Sequence, residues 1–261
     1  MIRMVISDVD GTIMDESEKM PSEIDELRNL IKEKNILFTI ASGREYTQVR
    51  QLKNRLDIQL PIIICNGTAA RTENEFIWCD SIPNEIVLEI CRKADEMGMS
   101  VVLSLPDNEY AIRKTPFVLH TIKTYGRFGN ILPIEEIKKG VTMVQKILII
   151  EKKREDICRK MGEYLKHYED CLSIVDYGTS FDIVPKACTK ASGIQRLLKT
   201  LNISVEEVMT VGDSYNDLEM LESARVGAAV NNAADELKKK ADYVCEGKYI
   251  HGVIEAIQRF C

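Results

Sequence analysis

Two carboxylates separated by one residue close an apolar run near the start of the chain, in MVISDVDGTIMD (4–15). Asp8 and Asp10 repel each other unless both are solvated or a positive charge lies between them. Gly11 permits a tight turn after them, and Thr12 adds a hydroxyl and a backbone N–H. Far along the chain, VMTVGDSYNDLEML (208–221) repeats the arrangement. There Asp213 ends an apolar run, Gly212 gives the backbone room, and Ser214, Asn216 and Asp217 begin a helix. Asp213 and Asp217 lie about one helical turn apart, so both can face one site. TIASGR (39–44) ends a further apolar run in Ser42, Gly43 and Arg44, with a hydroxyl suited to hold a phosphate oxygen near a helix N-terminus. In PKACTKAS (185–192), Lys190 falls in a first helical turn, where it opposes the dipole and a phosphate would offset the repulsion. Taken singly, each feature has a plainer reading as a polar strand end, a turn serine, a solvated lysine or a run of capping residues. In order along the chain they give strand-end acids, a strand-end hydroxyl, a lysine and more strand-end acids. Three or four carboxylates in one place call for a hard cation, and oxygen donors favour Mg2+, which commonly keeps waters and a substrate phosphate. The lysine and hydroxyl are then free for the phosphate, and an aspartate carboxylate can attack phosphorus as a covalent nucleophile.

The elements that must position these residues alternate strand with helix. Residues 2–7, 36–42 and 61–65 read as apolar strands, separated by helices over 22–34, with Ser22 as its N-cap, and 45–56. The rhythm returns in a helix over 190–201, strands at 208–213, 226–230 and 241–245, and helices at 217–224, 235–240 and 252–260. Continuous apolar strands between helices predict an α/β fold, a doubly wound, Rossmann-like parallel sheet built from residues 1–82 and 186–261. The sites above then sit at carboxyl ends of strands, where such sheets bind ligands. The middle differs: a helix at 85–98, strands at 100–105 and 109–113 joined by the turn Pro106–Asn108, a strand at 142–150, a helix at 155–168, and a hairpin of 171–178 and 180–185 around Gly178. Short turns between adjacent strands predict an antiparallel α+β domain, residues 83–185, inserted into the first.

Composition narrows the function. The 261 residues suffice for one large domain or two modest ones, and 45% hydrophobic with 29% charged residues is ordinary for a soluble globular protein. A net charge of −6 argues against nucleic acid as a partner. No apolar stretch is long enough to span a bilayer, and acidic residues arrive too early for a signal peptide. The eight cysteines form no CxxC pair, which predicts a reduced, cytoplasmic protein, and the three histidines have no zinc-site spacing.

Four stretches together resemble the motifs of the haloacid dehalogenase superfamily of phosphotransferases. DVDGT matches DxDGT, Ser42 in IASGR the second motif, Lys190 the third, and GDSYND the fourth, GDxxND. With an α+β insertion between the second and third motifs, the chain resembles the Cof-like sugar-phosphate phosphatases with a type-IIB cap. The resemblance implies a Mg2+-dependent phosphomonoester hydrolase acting on small phosphorylated metabolites. It makes Asp8 the nucleophile and Asp10 the proton donor and later the base for water. Mg2+ would be held by the Asp8 carboxylate, the Asp10 backbone carbonyl and Asp213, with Asp217 supporting on the metal side. Ser42 and Lys190 would fix the phosphoryl oxygens. Thr12, Gly43, Arg44, Asn66, Gly67 and Asn216 complete the substrate-binding set. Ala191 stands where Cof-like members usually have Gly, Cys65 and Thr68 flank Asn66–Gly67 where Glu and Ala are common, and His251 replaces an acidic residue; these departures bear on substrate preference. A phosphomutase and a non-enzymatic phospho-aspartate module are the competing readings. The first would isomerise rather than release phosphate, and the second would give a stable phosphoprotein.

Overall fold

Strands of four or five residues that are buried over most of their length belong inside a sheet covered on both faces. Met4–Ser7, Leu37–Ile40, Val208–Gly212 and Val226–Ala229 are such strands. The computed structural model describes residues 1–106, 108–139 and 143–261, which divide into two units. The first comprises Met1–Arg44, Gln48–Trp78 and Thr189–Cys261; the second comprises Glu45–Thr47 and Cys79–Cys188.

In the first unit a parallel sheet has the order Tyr243–Val244, Val226–Ala229, Val208–Gly212, Met4–Ser7, Leu37–Ile40. Its register sets Ser7 beside both Val211 and Ile40. The residues that follow, Asp8, Gly212–Asp213 and Ala41–Ser42, therefore leave the sheet together at its carboxyl edge. Ile62–Ile64 touches this edge through one parallel bridge, Ala41 to Ile63, and then turns into an antiparallel pair with Ala69–Arg71. The helix Lys190–Leu201 packs beside Leu218–Glu222, and Ile24–Glu33 beside Tyr249–Phe260. The expected Ser22 cap does not form. That helix starts at Ile24, so Ser22 lies one residue ahead of the cap position, which Glu23 occupies without a side-chain cap bond.

The second unit holds a six-stranded sheet ordered Leu172–Asp176, Ser180–Pro185, Lys146–Ile150, Ser100–Ser104, Glu109–Ala111, Asn130–Ile131. All its neighbours are antiparallel except the last pair. Strand alternation sends Val101, Leu103, Ile147, Ile149, Phe181 and Ile183 to one face, where helices Asn84–Glu96 and Glu155–Leu165 bury them. Val102 and Ala111 face the other side and meet Val118 of the helix Pro116–Tyr125, an element absent from the sequence reading. The hairpin turn at Gly178 has φ of +78°, with its N–H donated to Asp176 Oδ1 at 2.7 Å. Of the expected strand 142–150, residue 142 lies outside the described residues, as does Asp107 of the turn between the preceding strands.

Candidate active site

Asp8 continues the central strand and remains in its ladder, its N–H donating to the Val211 carbonyl at 2.9 Å. Only 3% of the residue is exposed. The chain then folds back in a tight turn, with Ile13 and Met14 N–H both bonded to the Val9 carbonyl, at 2.9 and 2.8 Å. Gly11 makes the turn possible, for its φ is +80° and a Cβ there would run into the Asp213 carboxylate. That close approach lets Thr12 Oγ1 donate to Asp213 Oδ1 at 2.9 Å.

On the neighbouring strand, Val208–Gly212 ends in a loop organised by Asp217. Its Oδ2 accepts the backbone N–H groups of Asp213 and Ser214, both at 3.0 Å. Its Oδ1 accepts from Lys190 Nζ at 2.6 Å, and the same ammonium donates to Asp8 Oδ1 at 2.5 Å. Lys190 is the first residue of its helix, behind the Thr189–Ser192 capping box, and is 2% exposed. Asp8, Asp213 and Asp217 offer oxygens all within 4.8 Å of one another. Three carboxylates against one ammonium leave a formal excess of two negative charges in a largely buried pocket.

The electrostatics follow from this crowding. Burial raises the Asp8 carboxyl well above the ordinary range; Lys190 opposes the rise, and Asp217, Asp213 and Asp10 add to it. Asp213 is pushed up to about 6 by burial first and the Asp217 charge second, against the Thr12 hydrogen bond. Burial by itself would lower the Lys190 ammonium, but Asp217 and Asp8 outweigh it and hold the group firmly charged.

Asp10 lies outside this cluster. Arg44 grips its carboxylate, with Nε 2.9 Å from both oxygens and a further contact from Nη2, and Nη2 also lies 3.3 Å from Glu18. Burial would weaken the Arg44 charge, and the bonds to Asp10 more than restore it. Ser42 is fully buried, its N–H held by Ile63 O at 3.0 Å and its hydroxyl accepting from Arg44 N–H at 3.1 Å. Asn66, at φ 55°, takes a left-handed turn after Ile62–Ile64, and its Oδ1 accepts from Asn216 Nδ2 at 3.2 Å. Gly43 lies against it, since a Cβ would come 3.0 Å from Asn66 Oδ1. Gly67, at φ +93°, runs against the Thr189 carbonyl, just before Lys190.

The residues singled out from sequence thus gather in one unit as three linked groups: Asp8–Lys190–Asp217–Asp213–Thr12, Asp10–Arg44–Ser42, and Asn216–Asn66–Gly43. Two residues that the motifs do not contain join them. Asn232 donates to the Gly11 carbonyl at 2.7 Å and accepts from Tyr249 N–H at 2.9 Å, tying the Asp10–Gly11 turn to a further strand end. Glu18 shares Arg44 with Asp10. Asn232 follows the apolar strand Val226–Ala229, so its place at the same sheet edge was the available signal.

Comparison with known proteins now fits this geometry to a family. A family model described as haloacid dehalogenase-like hydrolase matches residues 5–257. Phosphoglycolate phosphatase of Methanothermobacter thermautotrophicus is 25% identical over 261 residues, covering 99% of each chain. The 5-amino-6-(5-phospho-D-ribitylamino)uracil phosphatase of Bacillus subtilis is 25% identical over 262 residues, covering 99% of this chain and 96% of its own. Among solved structures, a haloacid dehalogenase-like hydrolase from Bacteroides thetaiotaomicron aligns with a TM-score of 0.86 at 25% identity over 100% of both chains. A subclass IIB sugar phosphatase shares the fold, with a TM-score of 0.82 at 23% identity over 99% of this chain and 98% of that one. The chain belongs to the haloacid dehalogenase-like hydrolases and is a phosphatase of that family. Among the described residues no helix is long and apolar enough to cross a membrane.

Proposed function

We propose that the protein hydrolyses phosphomonoesters of small metabolites, sugar phosphates foremost, with Mg2+ and through an aspartyl-phosphate on Asp8. The observation that carries this reading is the largely buried trio Asp8, Asp213 and Asp217, with Lys190 bonded to two of them. The donor set fits a hard dication: all three side chains are oxygen ligands, and their formal excess of two negative charges equals its charge. Both Asp217 oxygens are already engaged, one by Lys190 and one by two amides. Asp8 and Asp213 would therefore hold the ion directly, with the Asp10 carbonyl, while Asp217 fixes the loop and the lysine. When bound, Mg2+ supplies neutralisation of charge on the phosphoryl group.

The chain's own residues do the rest. An Asp8 carboxylate oxygen forms a bond to phosphorus as the bond to the ester oxygen breaks, and the Asp10 carboxyl passes a proton to that leaving oxygen. Water then attacks phosphorus, gives a proton back to Asp10 and releases phosphate, which restores Asp8. Lys190 and Ser42 bind the phosphoryl oxygens, and Thr12 keeps Asp213 oriented. Gly43, Arg44, Asn66, Gly67 and Asn216 shape the rim, with Arg44 setting the Asp10 carboxylate. The reading includes the domain organisation expected from sequence, a core of residues 1–82 and 186–261 and a cap of 83–185. The separate unit built mainly from Cys79–Cys188 supports it.

The test is phosphate release from a panel of phosphorylated metabolites, sugar phosphates and phosphoglycolate included, with Mg2+ and after chelation. Asp8→Asn is expected to abolish release, and acid-quenched protein to carry phosphate on Asp8. Full turnover by Asp8→Asn, or isomerisation without free phosphate, would overturn the reading.

A further inference from the structure

The second unit contains a cavity of about 500 Å3 that the proposed reaction does not use. It lies beside the helix Pro116–Tyr125, whose start is fixed by Thr115 accepting the Val118 N–H at 3.2 Å and by Pro116 in its first turn. The cavity floor is apolar: Phe117, backed by Phe128 at a centroid distance of 6.4 Å, and Ile150 at the end of its strand.

One wall carries an unmet donor. The hydroxyls of Ser100 and Thr115 line the cavity, are 5% and 3% exposed, and lie 2.6 Å apart. The pair holds two hydroxyl protons, and only one can lie between the two oxygens. Thr115 Oγ1 takes the Val118 N–H as acceptor, so the second proton has no acceptor among the described residues. An acceptor bound in the cavity would take that proton.

The rim supplies matching charge. Lys152 and Lys153 line the cavity, are exposed, and have no carboxylate partner among the described residues. Arg154 differs, being paired with Glu151 and bonded to the Gly98 carbonyl at 3.1 Å. Lys152 Nζ stands 5.3 Å from the Phe117 ring centroid, so charge and aromatic surface are adjacent. The positive end of the helix adds to the same field. On a chain of net charge −6, two free ammonium groups, a spare hydroxyl proton and an aromatic floor around one cavity are a local exception.

We propose that this cavity binds a small aromatic anion, its ring on Phe117 and Ile150 and its acidic group between Lys152, Lys153 and the Ser100–Thr115 pair. The volume falls within the range of small-molecule sites. Phosphate-like and carboxylate groups share the required chemistry, and the experiment separates them.

Isothermal titration of the full-length protein with Mg2+ uses phenylphosphonate, which cannot be hydrolysed as an ester, together with benzoate and methylphosphonate. At least one aromatic probe is expected to bind with Kd of about 1 mM or tighter, and this binding survives Asp8→Asn. The double change Lys152→Glu and Lys153→Glu, at exposed positions, weakens it about tenfold or more, and Ser100→Ala weakens it in the same direction. Tighter phenylphosphonate assigns a phosphate-like group, and tighter benzoate assigns a carboxylate. No saturable binding of either aromatic probe overturns the proposal. So does binding that the double lysine variant leaves unchanged, or methylphosphonate binding as tightly as phenylphosphonate.

Discussion

Without metal, the pocket around Asp213 holds more negative charge than Lys190 can balance, and folding must bear the cost. The Asp213 carboxyl rises from its usual 3.8 to about 6, with burial the first cause and Asp217 the second. A raised acid binds its proton more tightly folded than unfolded. Between 3.8 and 6 the folded state therefore holds more protons, and stability falls as pH rises through that window. Above about pH 6 the penalty is complete; below about pH 4 it is absent. A shift of roughly two units at 1.36 kcal/mol each gives about 3 kcal/mol at pH 7.5.

Asp213→Asn keeps an oxygen to accept the Thr12 hydroxyl and removes the charge. After chelation at pH 7.5, the variant should be more stable than the parent by up to about 3 kcal/mol, or about 6–12 °C in Tm for a protein of this size. The gap should shrink towards zero as pH falls to 4. Saturating Mg2+ should reverse the order, because the parent gains binding energy that the variant lacks. Calorimetry of both proteins from pH 4 to 8, with chelator and with Mg2+, decides the matter. A metal-free variant less stable than the parent at pH 7.5, or a difference that does not change with pH, would refute the assignment of excess charge to this pocket.

Other consequences follow from the same contacts. Lys190→Met strips the ammonium from Asp8 and Asp217, so phosphate release should fall at least about a hundredfold and metal-free stability by about 3–5 kcal/mol, read by turnover and denaturant melts. Gly11→Ala and Gly178→Ala both place a side chain at positive φ, at +80° and +78°; Gly178→Ala should cost about 1–2 kcal/mol and Gly11→Ala more. Only Gly11→Ala collides with Asp213, so it alone should abolish the rise in Tm on adding Mg2+. Asn232→Ala frees the Gly11 carbonyl; it should cost about 1 kcal/mol and raise the Mg2+ concentration needed for half-maximal turnover.

What the sequence disclosed, and what it hid, divides along a physical line. The parallel sheet was legible because runs such as Met4–Ser7 and Val208–Gly212 are buried throughout, and an unbroken apolar run bounded by turn residues has few other uses. The convergence of Asp8, Ser42 and Asp213 followed from that sheet, since parallel strands in register must release their next residues at one edge. The helix Pro116–Tyr125 was harder to read although Thr115, Pro116 and Gly126 are ordinary start and stop signals. Leu119 and Tyr125 stand about half exposed on it, which blurs the apolar stripe that would mark a buried face. Least legible were pairings that no local pattern fixes. Asp10 and Arg44 are 34 residues apart, and Asn232 reaches Gly11 across 221. Spacing can bring such residues to the same edge, but which donor meets which acceptor depends on turns such as the one at Gly11. There the missing Cβ admits the Asp213 carboxylate, and the pairing of Thr12 with Asp213 follows. A glycine inside a motif is thus as much a part of the site as the acids beside it, because it decides how closely their charges are held.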